Sequence, residues 1–151
     1  MKDAISRPTT ANVGAAGEAL VAARLLALGI DVAKPFSDNG VDLVAYSRGF
    51  DRAIPIQVKT ASSPQIKLEQ KWFGIPGIVL VYVWLTSSTG RFFVFDGLPD
   101  AERFLGTSAN SNSWQVKGAW SISSNNFGQT HFDRLRDYED AWQKVTAQLR
   151  A

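Results

Sequence analysis

The sequence predicts a mixed α/β or α+β layer in which an apolar helix packs on a β-sheet. Three observations carry this. Residues 12–28 form a helical run whose only charges are Glu18 and Arg24. Residues 30–96 then read as short β-branched and aromatic runs divided by turn residues. The C-terminal stretch returns to three-and-four spacing.

Residues 1–11 are polar, with Pro8 and two Thr, and read as a flexible arm before one domain over 12–151. Asn12 is placed to N-cap the first helix, and Gly29 to end it near Leu28. A helix apolar nearly all round is buried on more than one side. Strands are expected over 30–34, 41–47 and 53–61, with Gly49-Phe50-Asp51 turning the second into an antiparallel third. Residues 65–73 fit strand or helix equally. Residues 77–85 and 91–96 form another strand pair around the Ser87–Gly90 turn. A short helix over 99–105 ends at Gly106, residues 107–113 and 124–130 are polar loops, and 117–123 suits a strand. Leu135, Tyr138, Trp142, Val145 and Leu149 form one stripe on a helix over 133–149.

The 151 residues carry a net charge of +2, too small to argue for an anionic partner by itself. There is no cysteine, which excludes disulfides, thiol catalysis and zinc–thiolate sites, and fits a cytoplasmic protein. Residues 1–8 hold no apolar signal segment, and the longest apolar stretch, 75–85, is too short to span a bilayer. Gly14 and Gly17 lack a following Gly-Lys-Ser/Thr, so no phosphate loop is expected. His131, the single histidine, has no Gly-x-Ser-x-Gly partner and reads as structural.

The costly polar groups lie elsewhere. Gly40-Val41-Asp42 opens one strand and Gln57-Val58-Lys59 lies in the next. Alternation sends Ile56 and Val58 to one face and Gln57 and Lys59 to the other. Glu18 shares a helical stripe with Val21, Ala22 and Leu25, where a carboxylate needs a cation, either Lys59 or a divalent metal. Asp42, the Gln57 amide oxygen and the Val58 carbonyl are oxygen donors that leave room for the waters magnesium keeps. Glu18 would hold a water or a second ion, and Lys59 would orient the attacking water or neutralise a phosphorane.

Glu18, Gly40-Val41-Asp42 and Gln57-Val58-Lys59-Thr60, in that order, resemble the PD-(D/E)XK nuclease superfamily over roughly residues 12–96. Its members include restriction enzymes, Holliday-junction resolvases and some intron-encoded homing endonucleases. The resemblance implies a restriction endonuclease-like α/β fold, a central mixed β-sheet flanked by helices. It implies that Asp42 is the principal metal ligand, Gln57 stands at the second acid's position, Lys59 is the catalytic lysine and Glu18 is the first-helix acid. Two departures stand out. Val41 replaces the name-giving proline, and neutral Gln57 replaces an acid, which lowers the expected metal affinity.

The implied activity is metal-dependent DNA endonuclease chemistry with Mg2+ (Mn2+ as substitute), by a homodimer and with no membrane partner. The alternative is a catalytically inactive module of the same fold that binds nucleic acid or protein. Singly, each residue has an ordinary explanation: Glu18 a solvated helix charge, Asp42 a turn cap, Gln57 an exposed strand residue, Lys59 a snorkelling strand end. Their joint order and strand parity favour the site. The five tryptophans read as core or interface, with Trp114 the one placed to stack on a base, and Lys67 and Lys71 are placed to touch phosphates or solvent.

Overall fold

The computed structural model describes residues 6–37 and 39–151, so residues 1–5 of the expected N-terminal arm lie outside the described residues. Helix α1 spans Thr10–Ala27. It starts earlier than expected because Thr9, not Asn12, is the N-cap: the Thr9 hydroxyl accepts from Asn12 N–H, and Asn12 Oδ1 accepts from Thr9 N–H at 2.9 Å. Gly29 follows the helix at φ 80°, a conformation glycine adopts without strain.

Strands β1 (Asp31–Ala33), β2 (Leu43–Tyr46), β3 (Ala53–Ala61), β4 (Ile66–Glu69), β5 (Val79–Trp84), β6 (Arg91–Asp96) and β7 (Ala119–Ile122) form two sheets. The five-stranded sheet runs β1-β2-β3-β5-β6. Its β3–β5 pair is parallel and the others antiparallel, so the sheet is mixed. The other sheet is a β4–β7 ribbon with Lys67 opposite Ser121. Residues 65–73 resolve their ambiguity by being both: β4, then a 3-10 turn over Gln70–Phe73.

Helices α2 (Gly97–Leu105), α3 (Asn112–Gln115), α4 (Gln129–Leu135) and α5 (Gln143–Arg150) complete the chain. On one face of the sheet, Ile54, Ile56, Val58, Val81 and Val94 meet Val21 and Leu25 of α1 and Val145 of α5. On the other, Leu80, Tyr82, Trp84 and Phe95 meet Phe104, Trp114 and the ribbon's Ile66 and Leu68. Strand β5 is buried along its whole length, as covering on both faces requires. Burying a side chain such as Ile56 stabilises the fold by about 1.5–3 kcal/mol before entropy is counted. Trp84 also donates its indole N–H to the Gln65 carbonyl at 2.8 Å, which fixes the β3–β4 connection.

Further expectations fail. The polar loop over 124–130 contains a 3-10 turn (Ser124–Asn126) and the start of α4. The polar loop over 107–113 contains a 3-10 turn (Gly106–Asn110) and the start of α3, where the Ser111 hydroxyl caps Trp114 N–H. The single C-terminal helix is broken. Tyr138 O accepts from Val94 N–H at 2.8 Å, and Asp140 N–H donates to Phe92 O at 2.9 Å, so this segment pairs with the outer side of β6. Asp140 takes φ 52°. The stripe read as one helix face is shared out: Leu135 and Tyr138 enter one core, Trp142 and Val145 the other.

Candidate active site

The site lies where β2 begins, against the middle of β3. Asp42 continues the β2–β3 ladder by one residue, its N–H donating to Ile56 O at 2.9 Å. There the ladder gives way to side-chain bonding. Asp42 Oδ2 accepts from Val58 N–H at 2.7 Å and from Gln57 Nε2 at 2.8 Å. An extended residue directs its N–H and C=O to the same side. The Val58 carbonyl therefore also faces the side on which Asp42 lies. Gln57 is buried, 6% exposed, so its amide is fixed rather than solvated.

Helix α1 brings Glu18 in by close contact with β3. A Cβ on Gly17 would fall 1.8 Å from Thr60 Oγ1. Only glycine lets the helix backbone lie this close to the strand. Glu18, the next residue, reaches a polar pocket of about 260 Å³ lined also by Asp42, Val41, Lys34 and Phe36. The two carboxylates predicted to meet do share one cavity.

The cation meeting Glu18 is Lys34, not Lys59. Lys34 Nζ is hydrogen-bonded to Glu18 Oε2. That bond, then the Glu18 charge, holds the Lys34 ammonium above the ordinary lysine range. Sequence reasoning missed Lys34, although a carboxylate in an apolar helix demands a cation and Lys34 is the first lysine after it. Lys59 does face the same side of β3 as Gln57, but its ammonium lies over the Trp72 ring, 4.5 Å from the centroid. This is cation–π range. Trp72, in the 3-10 turn after β4, was the second residue missed; its proximity depends on how the ribbon folds back.

The donor set fits a hard divalent cation. Glu18 and Asp42 supply carboxylates, Gln57 an amide oxygen and Val58 a carbonyl, with no sulfur or imidazole among them. Among the described residues no three of His, Cys, Asp and Glu gather into a metal-binding group, so the negative charge here comes from two carboxylates. In the structure Gln57 presents its amide nitrogen to Asp42. Ligation would require the amide to turn its oxygen inward. His131 is engaged elsewhere, its Nδ1 accepting from Gly128 N–H at 3.1 Å. Trp114 is wholly buried and cannot stack on a base.

No family model and no curated protein sequence matches the chain. Among solved structures, a bacterial homing endonuclease, I-Ssp6803I, is similar with a TM-score of 0.58 at 17% identity, over 94% of this chain and 92% of that one. The two share a fold: the central mixed sheet flanked by helices that the sequence predicts. Among the described residues, no helix is long and apolar enough to cross a membrane.

Proposed function

We propose that the chain is a metal-dependent DNA endonuclease of the PD-(D/E)XK type. The observation that carries this reading is the Asp42 carboxylate, held by Gln57 and Val58 in one pocket with Glu18, in the superfamily's order along the chain. The fold shared with a homing endonuclease supports it from a separate direction.

Asp42, Gln57 and the Val58 carbonyl would hold Mg2+, or Mn2+ in its place, with Glu18 supporting it or a bound water. The metal would lower the pKa of a bound water and stabilise charge building on the scissile phosphate. The backbone and side-chain donors on Asp42 Oδ2 keep the carboxylate oriented before any ligand arrives. Lys59 would leave the Trp72 face to meet the phosphate or the attacking water, adding positive charge where negative charge develops. Cutting both strands of a duplex calls for two such sites, hence a homodimer. The lack of cysteine suits work in the cytoplasm.

One observation favours a second reading, a non-catalytic module of the same fold. Gln57 stands where an acid would be and donates to Asp42. Plasmid and linear duplex cleavage in Mg2+ or Mn2+ decides between them. The nuclease reading expects cutting that Asp42→Asn and Lys59→Ala each reduce by about 100-fold or more, the usual scale for such groups. Duplex binding with no cutting in either metal selects the module.

A further inference from the structure

The two-stranded ribbon, apart from the main sheet, has a polar outer face that the site does not use. Its inner residues Ile66, Leu68, Trp120 and Ile122 pack on the core. Its outer residues are Lys67, Glu69, Ala119 and Ser121. Lys67 Nζ and Lys71 Nζ each lie 3.0 Å from a different oxygen of Glu69. The hydrogen bonds from Lys71 and then Lys67 hold the Glu69 carboxyl below its ordinary range. Lys117 is exposed beside Gly118, whose carbonyl accepts from Gln70 N–H at 2.8 Å where the ribbon continues into the 3-10 turn. Two lysines thus pair with one glutamate on this face, and a third, Lys117, is exposed just before the β7 strand.

This face adjoins the candidate site. Lys71 immediately precedes Trp72, on whose ring the Lys59 ammonium rests. The Tyr82 hydroxyl, on the strand beside Lys59, accepts from Lys67 N–H at 3.3 Å. The ribbon is anchored to the sheet next to the catalytic lysine.

We propose that the outer face of the β4–β7 ribbon is the DNA-docking surface, a proposal that rests on the nuclease reading. It enters the major groove, which is wide enough for a two-stranded ribbon. Lys67, Lys71 and Lys117 contact phosphates flanking the cut, and Ser121 faces base edges. Glu69 is the internal counter-ion that pairs Lys67 and Lys71 before DNA arrives. Its charge remains beside the phosphates afterwards, so it weakens binding.

The test is binding of the whole protein to a labelled linear duplex in EDTA, followed by anisotropy over a series of salt concentrations. Removing metal separates docking from cleavage. Lys67→Ala/Lys71→Ala should weaken binding about tenfold or more and lower the log–log salt slope by about 2, one per lost phosphate contact. Glu69→Gln should tighten binding severalfold, and Arg150→Ala, distant on α5, should change nothing. Near-UV circular dichroism confirms that each variant is folded. Unchanged affinity and slope in a folded double variant overturn the proposal, as does equal competition by duplex RNA, whose narrow major groove excludes a ribbon. A wild-type protein that docks through these lysines but never cuts in Mg2+ or Mn2+ removes the nuclease reading and leaves the docking surface standing. Failure to bind any duplex removes both.

Discussion

Gln57 and the backbone of Val58 converge on a single oxygen of Asp42, Oδ2, at 2.8 and 2.7 Å. The half-buried carboxylate accepts from neighbours on its partner strand, and the side-chain donor stands where the sequence resemblance implies an acid. Gln57 therefore stabilises the Asp42 carboxylate as it stands, whereas under the proposed metal-dependent reading an acid at that position would strengthen metal binding.

Gln57→Glu should separate these roles. Without metal, a second carboxylate would face Asp42 in place of a donor. The variant should lose about 1–3 kcal/mol of stability in EDTA, the cost of leaving a buried polar group unsatisfied. Mn2+ should restore that stability, and metal affinity should rise because the site gains a negative donor. Thermal unfolding with and without Mn2+, with calorimetric titration, measures both. Equal stability in EDTA would contradict the role given to the amide.

On the proposed metal-dependent reading, Lys34 and a divalent cation would compete for Glu18. Lys34→Gln should therefore tighten Mn2+ binding severalfold. The Lys34 side chain is 67% exposed, so fold stability should change by under about 1 kcal/mol. Calorimetry reads the affinity, and denaturant unfolding checks the stability.

Gly17→Ala places a Cβ against Thr60 and must lift α1 from β3. A loss of about 1–3 kcal/mol is expected, as for other overpacked contacts. Cleavage should fall further than stability alone accounts for, since Glu18 travels with the helix. Adding Thr60→Ala removes the Oγ1 that a new Cβ would meet first and should recover part of both. Urea unfolding and single-turnover cleavage on the same preparations provide the comparison.

Burial pushes the Tyr82 phenol above its ordinary 10.0. The folded state then holds this proton more tightly than the unfolded chain does. The resulting stability is complete below the unfolded pKa, near pH 10, and is lost as pH rises through the folded value. Tyr82→Phe should flatten the alkaline fall in stability without abolishing it, because burial raises Tyr138 as well. Denaturation curves at about pH 8 and about pH 11 show the difference.

Much of this was legible in the chain. Side-chain alternation identified β3 residue for residue, and β-branched and aromatic content identified β6. Glu18, Asp42 and Gln57 could be grouped because their order and strand parity are local facts. Trp72 could not, since it meets Lys59 only after the ribbon folds back, and Lys34 was signalled only by the need of Glu18 for a cation, which does not single out one lysine. The C-terminal break was hidden for a different reason. Leu135, Tyr138, Trp142 and Val145 keep helical spacing across Asp140, with neither glycine nor proline to mark the turn. Two cores drew on one stripe, and periodicity alone cannot reveal that division.

The hydrogen bonds that β6 makes with the Tyr138 carbonyl and the Asp140 N–H also bear on the edges of the main sheet. They occupy part of one rim of the main sheet, and the opposite rim, β1, is only three residues long. An unprotected rim would invite strand-by-strand accretion of further copies. With one side stitched and the other so brief, neither rim offers a long row of open backbone groups on which another copy's strand could add.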